Sequence, residues 1–275
     1  MALYHILILA LIQGITEFLP VSSSGHLTLY HGLIDTGQTD LALNRTIDIA
    51  VHVGTLFAVL LYFRGDVMKM LCAALCVFKR DSKSSDGLRL IGLVLIGSLP
   101  VIAAGFALHL WQPDWLQAIE VVAWTTLIFG IALLWADKKF PEKRDVESMS
   151  YKDAAFIGLA QILALIPGTS RSGITMTAAR MIGFSRREAA HYSLLLAMIA
   201  ISGAGLLGGL DVIQSGDIVL AGDVLLAAGL AFISGYAAIA LMMRWLERAG
   251  FAPFAYYRMA LGGVLLTLIY TGVLA

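Results

Sequence analysis

Two segments of the chain repeat one unusual pattern, in which an apolar stretch ends at a proline and a cluster of hydroxyl side chains with a glycine follows. The first segment covers 13–26 and adds Glu17 and His26, and the second covers 161–175 and adds Arg171. A charged side chain costs about 2.5–3.5 kcal/mol at the centre of a membrane helix. Because both segments lie in apolar sequence, we predict a functional site built from two halves of a duplicated membrane protein.

The composition favours a membrane setting. Hydrophobic residues make up 59% of the chain and charged residues 14%, whereas soluble domains contain about 45–50% and about 25%. The formal net charge is zero, so no basic surface argues for nucleic acid as a partner. The first apolar stretch lacks a basic start and runs into the polar pattern, so we expect no cleaved signal peptide.

Apolar stretches of spanning length divide the rest of the chain. A helix needs about 20 apolar residues to cross a bilayer. Because broken helices at membrane depth must be buried in protein or line a water-filled cavity, we interpret 2–40 and 152–184 as re-entrant hairpins. We predict a single all-α integral membrane domain, 1–275, with about six transmembrane helices besides these two hairpins. The predicted spans lie near 48–63, 88–109, 116–136, 187–209, 218–243 and 254–274.

The charges of the connecting segments predict the orientation of the spans. The positive-inside rule places segments rich in Lys and Arg in the cytoplasm and segments without them outside. The segments fall on these sides only if each hairpin returns to the side from which it entered. The first hairpin must then enter from outside and the second from the cytoplasm. We therefore predict an inverted repeat, 1–136 and 150–275, whose hairpin tips meet near the midplane. The basic segments are 64–89, 137–152 and 244–258, and those without Lys or Arg are 110–115 and 210–217.

Each hairpin is expected to present a helix start at its tip. Pro20 and Pro167 remove backbone donors and end their helices, and hydroxyl side chains that can cap a new helix follow. A capped helix start with free N–H groups is a natural anion site. The candidate caps are Ser22 or Ser23 in the first hairpin and Thr169 or Ser170 in the second.

The side chains around these helix starts suggest phosphate chemistry. Arg171 offers a planar, permanently charged fork suited to phosphate oxygens. Gln13 and Glu17 are four residues apart on one helix face and supply hard oxygen ligands of the kind that Mg²⁺ or Ca²⁺ requires. His26 can act as an acid or a base. Ser23 lies one helical turn before it, so a hydroxyl–imidazole pair is geometrically feasible.

Structural explanations remain open for the same residues. Serine and glycine clusters often serve close helix packing, and Arg171 and Glu17 could form a structural ion pair. Thr175 could bond only its own helix backbone. Asp48 and His52, four residues apart, have packing or an interface as their first interpretation and lining of the site as the second.

The two segments resemble the signature motifs of bacterial undecaprenyl-diphosphate phosphatases of the bacitracin-resistance type. The strings are Glu17-Phe-Leu-Pro-Val-Ser-Ser-Ser-Gly-His26 and Pro167-Gly-Thr-Ser-Arg171-Ser-Gly-Ile-Thr175, and the resemblance extends to Phe254-Ala-Tyr-Tyr-Arg258 and to the length of the chain. The resemblance implies a hydrolase that removes the terminal phosphate from undecaprenyl diphosphate. Its product is the lipid that carries precursors in peptidoglycan synthesis and cell wall biogenesis, which links the family to cell shape and bacitracin resistance.

The resemblance also implies roles for individual residues. Gln13 and Glu17 match a metal-associated pair that would hold a divalent cation, Mg²⁺ or Ca²⁺, and Gln13 is the amide variant with one negative charge fewer. Ser23 matches the nucleophile, His26 the acid or base, and Arg171 the phosphate-binding arginine; Glu17 is a candidate to assist Ser23. The other polar positions that we assign to the phosphate are Ser22, Ser170, Ser172 and Thr175.

The family resemblance implies a multi-pass protein of the inner membrane whose active site faces the periplasm. The substrate is expected to reach it from the bilayer, and a homodimer is a further candidate partner. Inverted repeats with broken helices are also common in transporters, so a polyprenyl-phosphate flippase or an anion carrier is the alternative function. A nucleophile and a base favour the enzyme, because transport needs neither.

Overall fold

The computed structural model describes residues 3–34, 41–75, 82–111, 113–215 and 218–273. Within these ranges the regular structure consists of α-helices and short 3₁₀ turns, with no β-strand, which confirms the predicted all-α class. The helices are α1 (Leu3–Thr16), α2 (Ser23–Ile34), α3 (Leu41–Tyr62), α4 (Arg64–Leu75), α5 (Ser82–Trp111), α6 (Ile119–Lys139), α7 (Tyr151–Gln161), α8 (Arg171–Met181), α9 (Arg186–Ser215), α10 (Ile218–Leu246) and α11 (Ala252–Tyr270).

Four described helices are long and apolar enough to cross a bilayer, which confirms a multi-pass membrane protein. Only 22% of the apolar window in Ser85–Trp111 is buried inside the protein. Most of its apolar surface therefore faces outward, as contact with lipid requires. The count of six spans and two hairpins stays a prediction. The four helices are Ser85–Trp111, Ile119–Lys139, Ala221–Leu246 and Ala252–Tyr270.

The basic segment 64–89 differs from its prediction as a connecting segment, because much of it is helical. A break at Phe63 separates α3 from α4, and the two helices meet at 84°. α4 carries Asp66 and Lys69 one turn apart, with 3.5 Å between the carboxylate and the ammonium. Counting charges locates such a segment outside the bilayer but does not distinguish a loop from a polar helix, so α4 was missed.

Two pairs of short helices occupy the positions predicted for the hairpins. α1 and α2 are separated by a turn at 17–22, and α7 and α8 by a 3₁₀ turn and a bend at 162–170. α1 packs against α10, whereas α7 packs against α5. Each hairpin is therefore held by a long helix from the opposite half of the chain. The division into two repeats stays a prediction.

Small residues allow these helices to approach closely. A Cβ atom on Gly14 would lie 1.9 Å from the hydroxyl oxygen of Ser234, and one on Gly158 would lie 2.6 Å from the carbonyl oxygen of Gly97. The same carbonyl accepts a hydrogen bond of 3.1 Å from the side chain of Gln161. At these two glycines each hairpin therefore lies too close to its neighbouring long helix to leave room for a side chain.

The second hairpin lies in the interior of the protein. Every residue from Ser172 to Arg180 in α8 is buried. The main apolar core surrounds it with side chains of α9, including Tyr192, whose hydroxyl donates to the carbonyl oxygen of Leu93 at 2.7 Å. This packing gives the tip of the second hairpin a rigid support.

Candidate active site

The two hairpin tips share one local structure. Ser22 and Ser170 have φ angles of 75° and 71°, in the left-handed region that costs a non-glycine residue about 1–3 kcal/mol. Their hydroxyl oxygens accept hydrogen bonds from the N–H groups of Gly25 (3.3 Å) and Gly173 (3.1 Å). Ser22 and Ser170 are therefore the N-terminal caps of α2 and α8. Each was one of the two cap candidates predicted for its hairpin.

One buried carboxylate joins the two hairpins. The hydroxyl of Ser23 donates to Oε2 of Glu17 at 2.7 Å, and the side-chain amide of Gln13 donates to the same oxygen at 2.9 Å. Arg171 donates to Oε1 of Glu17 at 2.8 Å. The side chain of Glu17 is 9% exposed. The structure therefore brings together the predicted nucleophile, carboxylate and phosphate-binding arginine.

A second contact fixes the direction of the arginine. Nη1 of Arg171 donates to the carbonyl oxygen of Ser193 at 3.1 Å, while Nη2 donates to Glu17. These two bonds leave further N–H groups of the guanidinium for phosphate oxygens. The ion pair that the sequence left open does form, and it lies within the candidate site rather than apart from it.

The other hydroxyls of the second hairpin support its tip. Ser172 donates to the carbonyl oxygen of Leu19 at 2.9 Å and lies 3.2 Å from the hydroxyl of Ser170. This bond joins the tips of the two hairpins. Thr175 lies 2.9 Å from the carbonyl oxygen one turn earlier and 2.7 Å from the hydroxyl of Ser193. Phosphate contacts of these hydroxyls stay a prediction.

His26 is bonded on both sides of its ring. Nδ1 lies 2.7 Å from the carbonyl oxygen of Ser22, and Nε2 lies 2.6 Å from the hydroxyl of Tyr257. Because a carbonyl oxygen only accepts, Nδ1 carries the proton, and in the neutral ring Nε2 accepts from Tyr257. The proposed Ser23–His26 pair is not formed. Instead, Ser23 donates to Glu17, which makes the carboxylate its geometric partner.

His52 and Tyr257 extend the site beyond the residues to which the sequence analysis assigned a role. Nε2 of His52 lies 3.9 Å from Oε2 of Glu17, so the second interpretation of His52, lining of the site, is the one that the structure supports. Asp48 instead faces His31, at 3.1 Å from its ring. The ring of Tyr257 stacks on His26 with 5.7 Å between centroids. The only sequence signal for Tyr257 was the resemblance in 254–258, because its contact with His26 depends on the packing of α11.

Arg258 is a buried arginine that sequence reasoning did not place in the site. It donates to the carbonyl oxygens of Gly168 (2.9 Å) and Thr169 (2.8 Å), just before α8. It is 0% exposed, and a Cβ on Gly173 would lie 2.6 Å from its Nη1 atom. Arg258 therefore holds the turn that leads into the second tip. Its only signal in the sequence was the resemblance in 254–258.

The residues around Glu17 fit a divalent cation that arrives with a phosphate ligand. Among the described residues there is no group of three His, Cys, Asp or Glu side chains that could hold a metal. Oε1 of Gln13 is nevertheless a buried oxygen without a partner in the described part of the chain, next to the carboxylate. Mg²⁺ is commonly bound by one or two carboxylates together with substrate phosphates and water, and this donor set meets that description.

The arrangement as a whole has the parts required for phosphoryl transfer. A hydroxyl is hydrogen-bonded to a carboxylate, a guanidinium lies on the other oxygen of that carboxylate, and a capped helix begins in each hairpin. Such transfers depend mainly on positioning and on stabilising negative charge.

Comparison with known proteins places the chain in a family. Residues 6–264 match the family described as "Bacitracin resistance protein BacA". The chain is 46% identical to an "Undecaprenyl-diphosphatase" of Ruegeria pomeroyi, over 98% of this chain and 100% of that protein. It is 43% identical to the protein of the same name from Alteromonas mediterranea, with the same coverage. The chain therefore belongs to the bacitracin resistance protein BacA family.

Proposed function

We propose that this protein hydrolyses undecaprenyl diphosphate to undecaprenyl phosphate and inorganic phosphate. Relatives named for this activity match 98% of the chain. The observation that carries the proposal is the position of Glu17. Its two oxygens hold the hydroxyl of Ser23 and the guanidinium of Arg171 at 2.7 and 2.8 Å, so a nucleophile and a phosphate ligand converge on one base.

In the first step, the Ser23 oxygen attacks the terminal phosphorus, and its proton passes to Oε2 of Glu17. The bond between that phosphorus and the bridging oxygen breaks, and undecaprenyl phosphate leaves. Arg171 and the start of α8 hold the phosphoryl oxygens, because both present donors to negative charge. The contact between Arg171 and Ser193 keeps the guanidinium in place during the transfer.

In the second step, water attacks the phosphorus of the phosphoserine, and inorganic phosphate is released while Glu17 returns its proton to Ser23. The hydroxyl of Tyr257, which donates to Nε2 of His26 at 2.6 Å, passes its proton to that nitrogen as it takes the proton of the attacking water. Direct attack by water, with Ser23 as a ligand, is the alternative chemistry. Trapping of the covalent intermediate distinguishes the two mechanisms: attack by Ser23 forms a phosphoserine, and direct attack by water does not.

A divalent cation is part of the proposal. Glu17 and the amide oxygen of Gln13 would hold it together with oxygens of the diphosphate. When bound, it supplies neutralisation of the phosphate charge.

The proposed location is the inner membrane, with the site open to the periplasm. The charge of the segments supports the orientation: 110–115 contains no Lys or Arg, whereas 244–258 contains three Arg. The side on which the site opens rests on the family resemblance alone. Cysteine labelling tests it through Trp115→Cys and Arg248→Cys in a background lacking Cys72 and Cys76. We expect the two positions to react from opposite sides, and reaction of both from one side would contradict the orientation.

Purified protein in detergent, where there is no second compartment, tests the function. With undecaprenyl diphosphate and Mg²⁺ we expect release of phosphate, and Glu17→Gln should reduce it on the order of 10³-fold through loss of the base. Chelator should inhibit the parent protein. Full activity in excess chelator after metal stripping would remove the cation from the proposal. If the parent releases no phosphate with any metal, the carrier becomes the better function.

A further inference from the structure

An open groove of about 350 Å³ lies on the surface of α6 near its C-terminal end. α6 is one of the helices that are long and apolar enough to cross a bilayer. Three apolar side chains and the last two lysines of the helix line the groove: Ile131, Leu134, Trp135, Lys138 and Lys139. The groove therefore joins an apolar surface to two positive charges.

The apolar wall of the groove lies where the hydrocarbon of a bilayer ends. Ile131 is 48% exposed and Trp135 is 50% exposed, so both face the surroundings of the helix. The ring of Phe140 meets Trp135 edge to face, with 5.1 Å between the centroids. Tryptophan is enriched at the boundary between the hydrocarbon core and the headgroups. Trp135 therefore marks this boundary on α6.

The two lysines lie just beyond this boundary on the same face of the helix. Lys138 and Lys139 follow Trp135 by three and four residues, the spacing of neighbours along one helix face. They begin the basic segment 137–152. A phospholipid that places its acyl chain along the apolar wall therefore has its phosphate at the height of the two ammonium groups.

The carboxylates that flank the lysines in the sequence are bound by another cation. Asp137 accepts from Nε of Arg186 at 2.6 Å and from the backbone N–H of Phe251 at 3.0 Å. Glu142 lies 2.5 Å from Nη1 of the same arginine. Asp137 is buried, whereas the two lysines that follow it are exposed. Arg186 thus takes up both carboxylates on the inner side of α6.

The contact of Lys138 within the protein is with an uncharged group. Its ammonium lies 3.5 Å from the hydroxyl of Tyr256 and 6.0 Å from the centre of that ring. Tyr256 is itself exposed. This contact holds the lysine beside the groove without neutralising it, so the positive charge is available to an anion from outside the chain.

We propose that this groove binds an anionic phospholipid, with one acyl chain along the apolar wall and the phosphate on the two lysines. Charge complementarity selects this occupant, because a zwitterionic lipid carries its own cation next to the phosphate. Basic pockets beside spanning helices are typical sites for anionic headgroups. The groove lies apart from the candidate active site, and the proposal does not rest on the proposed function.

Native mass spectrometry of the purified full chain in detergent tests the proposal. The protein is titrated with phosphatidylglycerol and with phosphatidylcholine of identical acyl chains. The parent should bind phosphatidylglycerol more tightly. Replacing both Lys138→Gln and Lys139→Gln should weaken that binding about tenfold or more and leave phosphatidylcholine unaffected. Equal affinities of the parent for the two lipids, or an unchanged affinity in the double variant, would overturn the proposal.

A second pair of lysines in the same basic segment provides the matched control. Lys143→Gln combined with Lys152→Gln removes the same charge from exposed positions outside the groove. This variant should retain its preference for phosphatidylglycerol. An equal loss of affinity in both double variants would assign the binding to the charge of the whole segment, and the groove would then not be the site.

The apolar wall is tested by a pair of tryptophans on one helix. Trp135→Ala should weaken binding of phosphatidylglycerol about fivefold, because an acyl chain in the groove loses its largest apolar contact. Trp124→Ala is the control, since Trp124 is also exposed on α6 but lies outside the groove lining. It should bind like the parent. Equal decreases in the two variants would mean that lipid binds anywhere along α6, which contradicts a defined site.

Discussion

The two hairpins have the same framework and carry different chemistry. In each, a buried glutamine lies nine residues before a capping serine with positive φ, and a glycine three residues after that serine donates to it. The first helical residue is Ser23 in α2 and Arg171 in α8. Equivalent positions thus carry the proposed nucleophile in one hairpin and the proposed phosphate ligand in the other.

The hairpins also differ in how firmly they are held. The first nine residues after Arg171 in α8 are all buried, and Arg258 binds the turn before them. α2 is only half-buried over most of its described residues. An anion ligand benefits from a rigid, pre-organised position, whereas the hairpin of Ser23 exposes apolar side chains such as Leu11 and Ile15 at the protein surface. The comparison agrees with the proposed roles, in which the second hairpin holds the phosphate and the first performs the attack.

Ser23→Ala tests this assignment of roles most directly. If Ser23 is the nucleophile, the variant should release phosphate at least about 10²-fold more slowly, in line with loss of an essential catalytic group, and should still bind the lipid diphosphate. Turnover in detergent and separate binding measure the two effects.

Ser24→Ala is the control for that experiment. Ser24 lies next in the chain, and its one described side-chain contact is with Ser22, at 3.4 Å. Its substitution should be mild. Equal, near-parental release from both variants would remove Ser23 as the nucleophile and with it the division of roles.

Arg171→Lys tests the proposed role of the second hairpin as the phosphate ligand. Lysine keeps the charge but cannot donate from two nitrogens to Glu17, to Ser193 and to phosphate in one plane, so we expect a loss of about tenfold or more in kcat/KM. Arg187→Lys, at an exposed ion pair with Glu247, is the matched control and should be nearly neutral. Near-parental kinetics of Arg171→Lys would mean that a point charge is enough at this position.

Much of the fold could be predicted because the bilayer restricts the choices. Apolar length located the helices that became α5, α6, α10 and α11, and proline located the hairpin breaks. α4 was not predicted, because charged residues place a segment outside the bilayer but do not tell a loop from a helix. The predicted spans differ from the observed helices by several residues at their ends. Hydropathy marks where apolar sequence stops, whereas a helix can continue into polar sequence.

The candidate site was predictable where its residues are local. Gln13 and Glu17, four residues apart, do share a face and a hydrogen bond. Residues brought in by packing were not predictable: Ser193 and Tyr257 contribute through a backbone carbonyl and a hydroxyl, and neither type is unusual in a membrane helix. Spacing alone also suggested the wrong partner for Ser23, since one helical turn permits contact with His26 but the turn at 17–22 places Glu17 closer.

Gly168→Ala tests the rigidity of the second tip. Gly168 has φ of 85°, and a Cβ there would lie 2.3 Å from the hydroxyl of Thr125 and 2.5 Å from the carbonyl oxygen of Val122. Overpacking of this kind costs about 1–3 kcal/mol, in addition to about 1–2 kcal/mol for the left-handed backbone. The midpoint of thermal unfolding in detergent should fall clearly.

Gly183→Ala separates the two contributions. Gly183 has φ of 91°, but the nearest atom to its Cβ position is 3.7 Å away, on Arg144. It should therefore show only the backbone cost and a smaller decrease in the midpoint. Equal decreases in the two unfolding midpoints would mean that the neighbours of Gly168 move to accommodate the added methyl group at little cost. This would contradict the rigid support inferred for the second hairpin.

The smallest expected effect concerns the base of the second hairpin, outside the spans. Arg144 binds both oxygens of Asp153, at 3.1 and 2.6 Å. Burial raises the pKa of Asp153, but hydrogen bonds from Arg144 and Ser150 outweigh it and lower the pKa from 3.8 to about 2. A carboxyl group whose pKa is lowered by folding stabilises the fold above the unfolded value of 3.8, and this contribution is lost as the pH falls through about 2.

Asp153→Asn should therefore be less stable than the parent at neutral pH, by about 1 kcal/mol or less because the pair is partly exposed to solvent. The difference between their unfolding midpoints should be constant above about pH 5 and shrink toward pH 2. Asp145→Asn, whose carboxylate caps Ser148 and has no arginine contact in the described chain, should show no such trend. The same pH profile for both variants would assign the effect to helix capping, and the ion pair would then contribute nothing to holding the second hairpin.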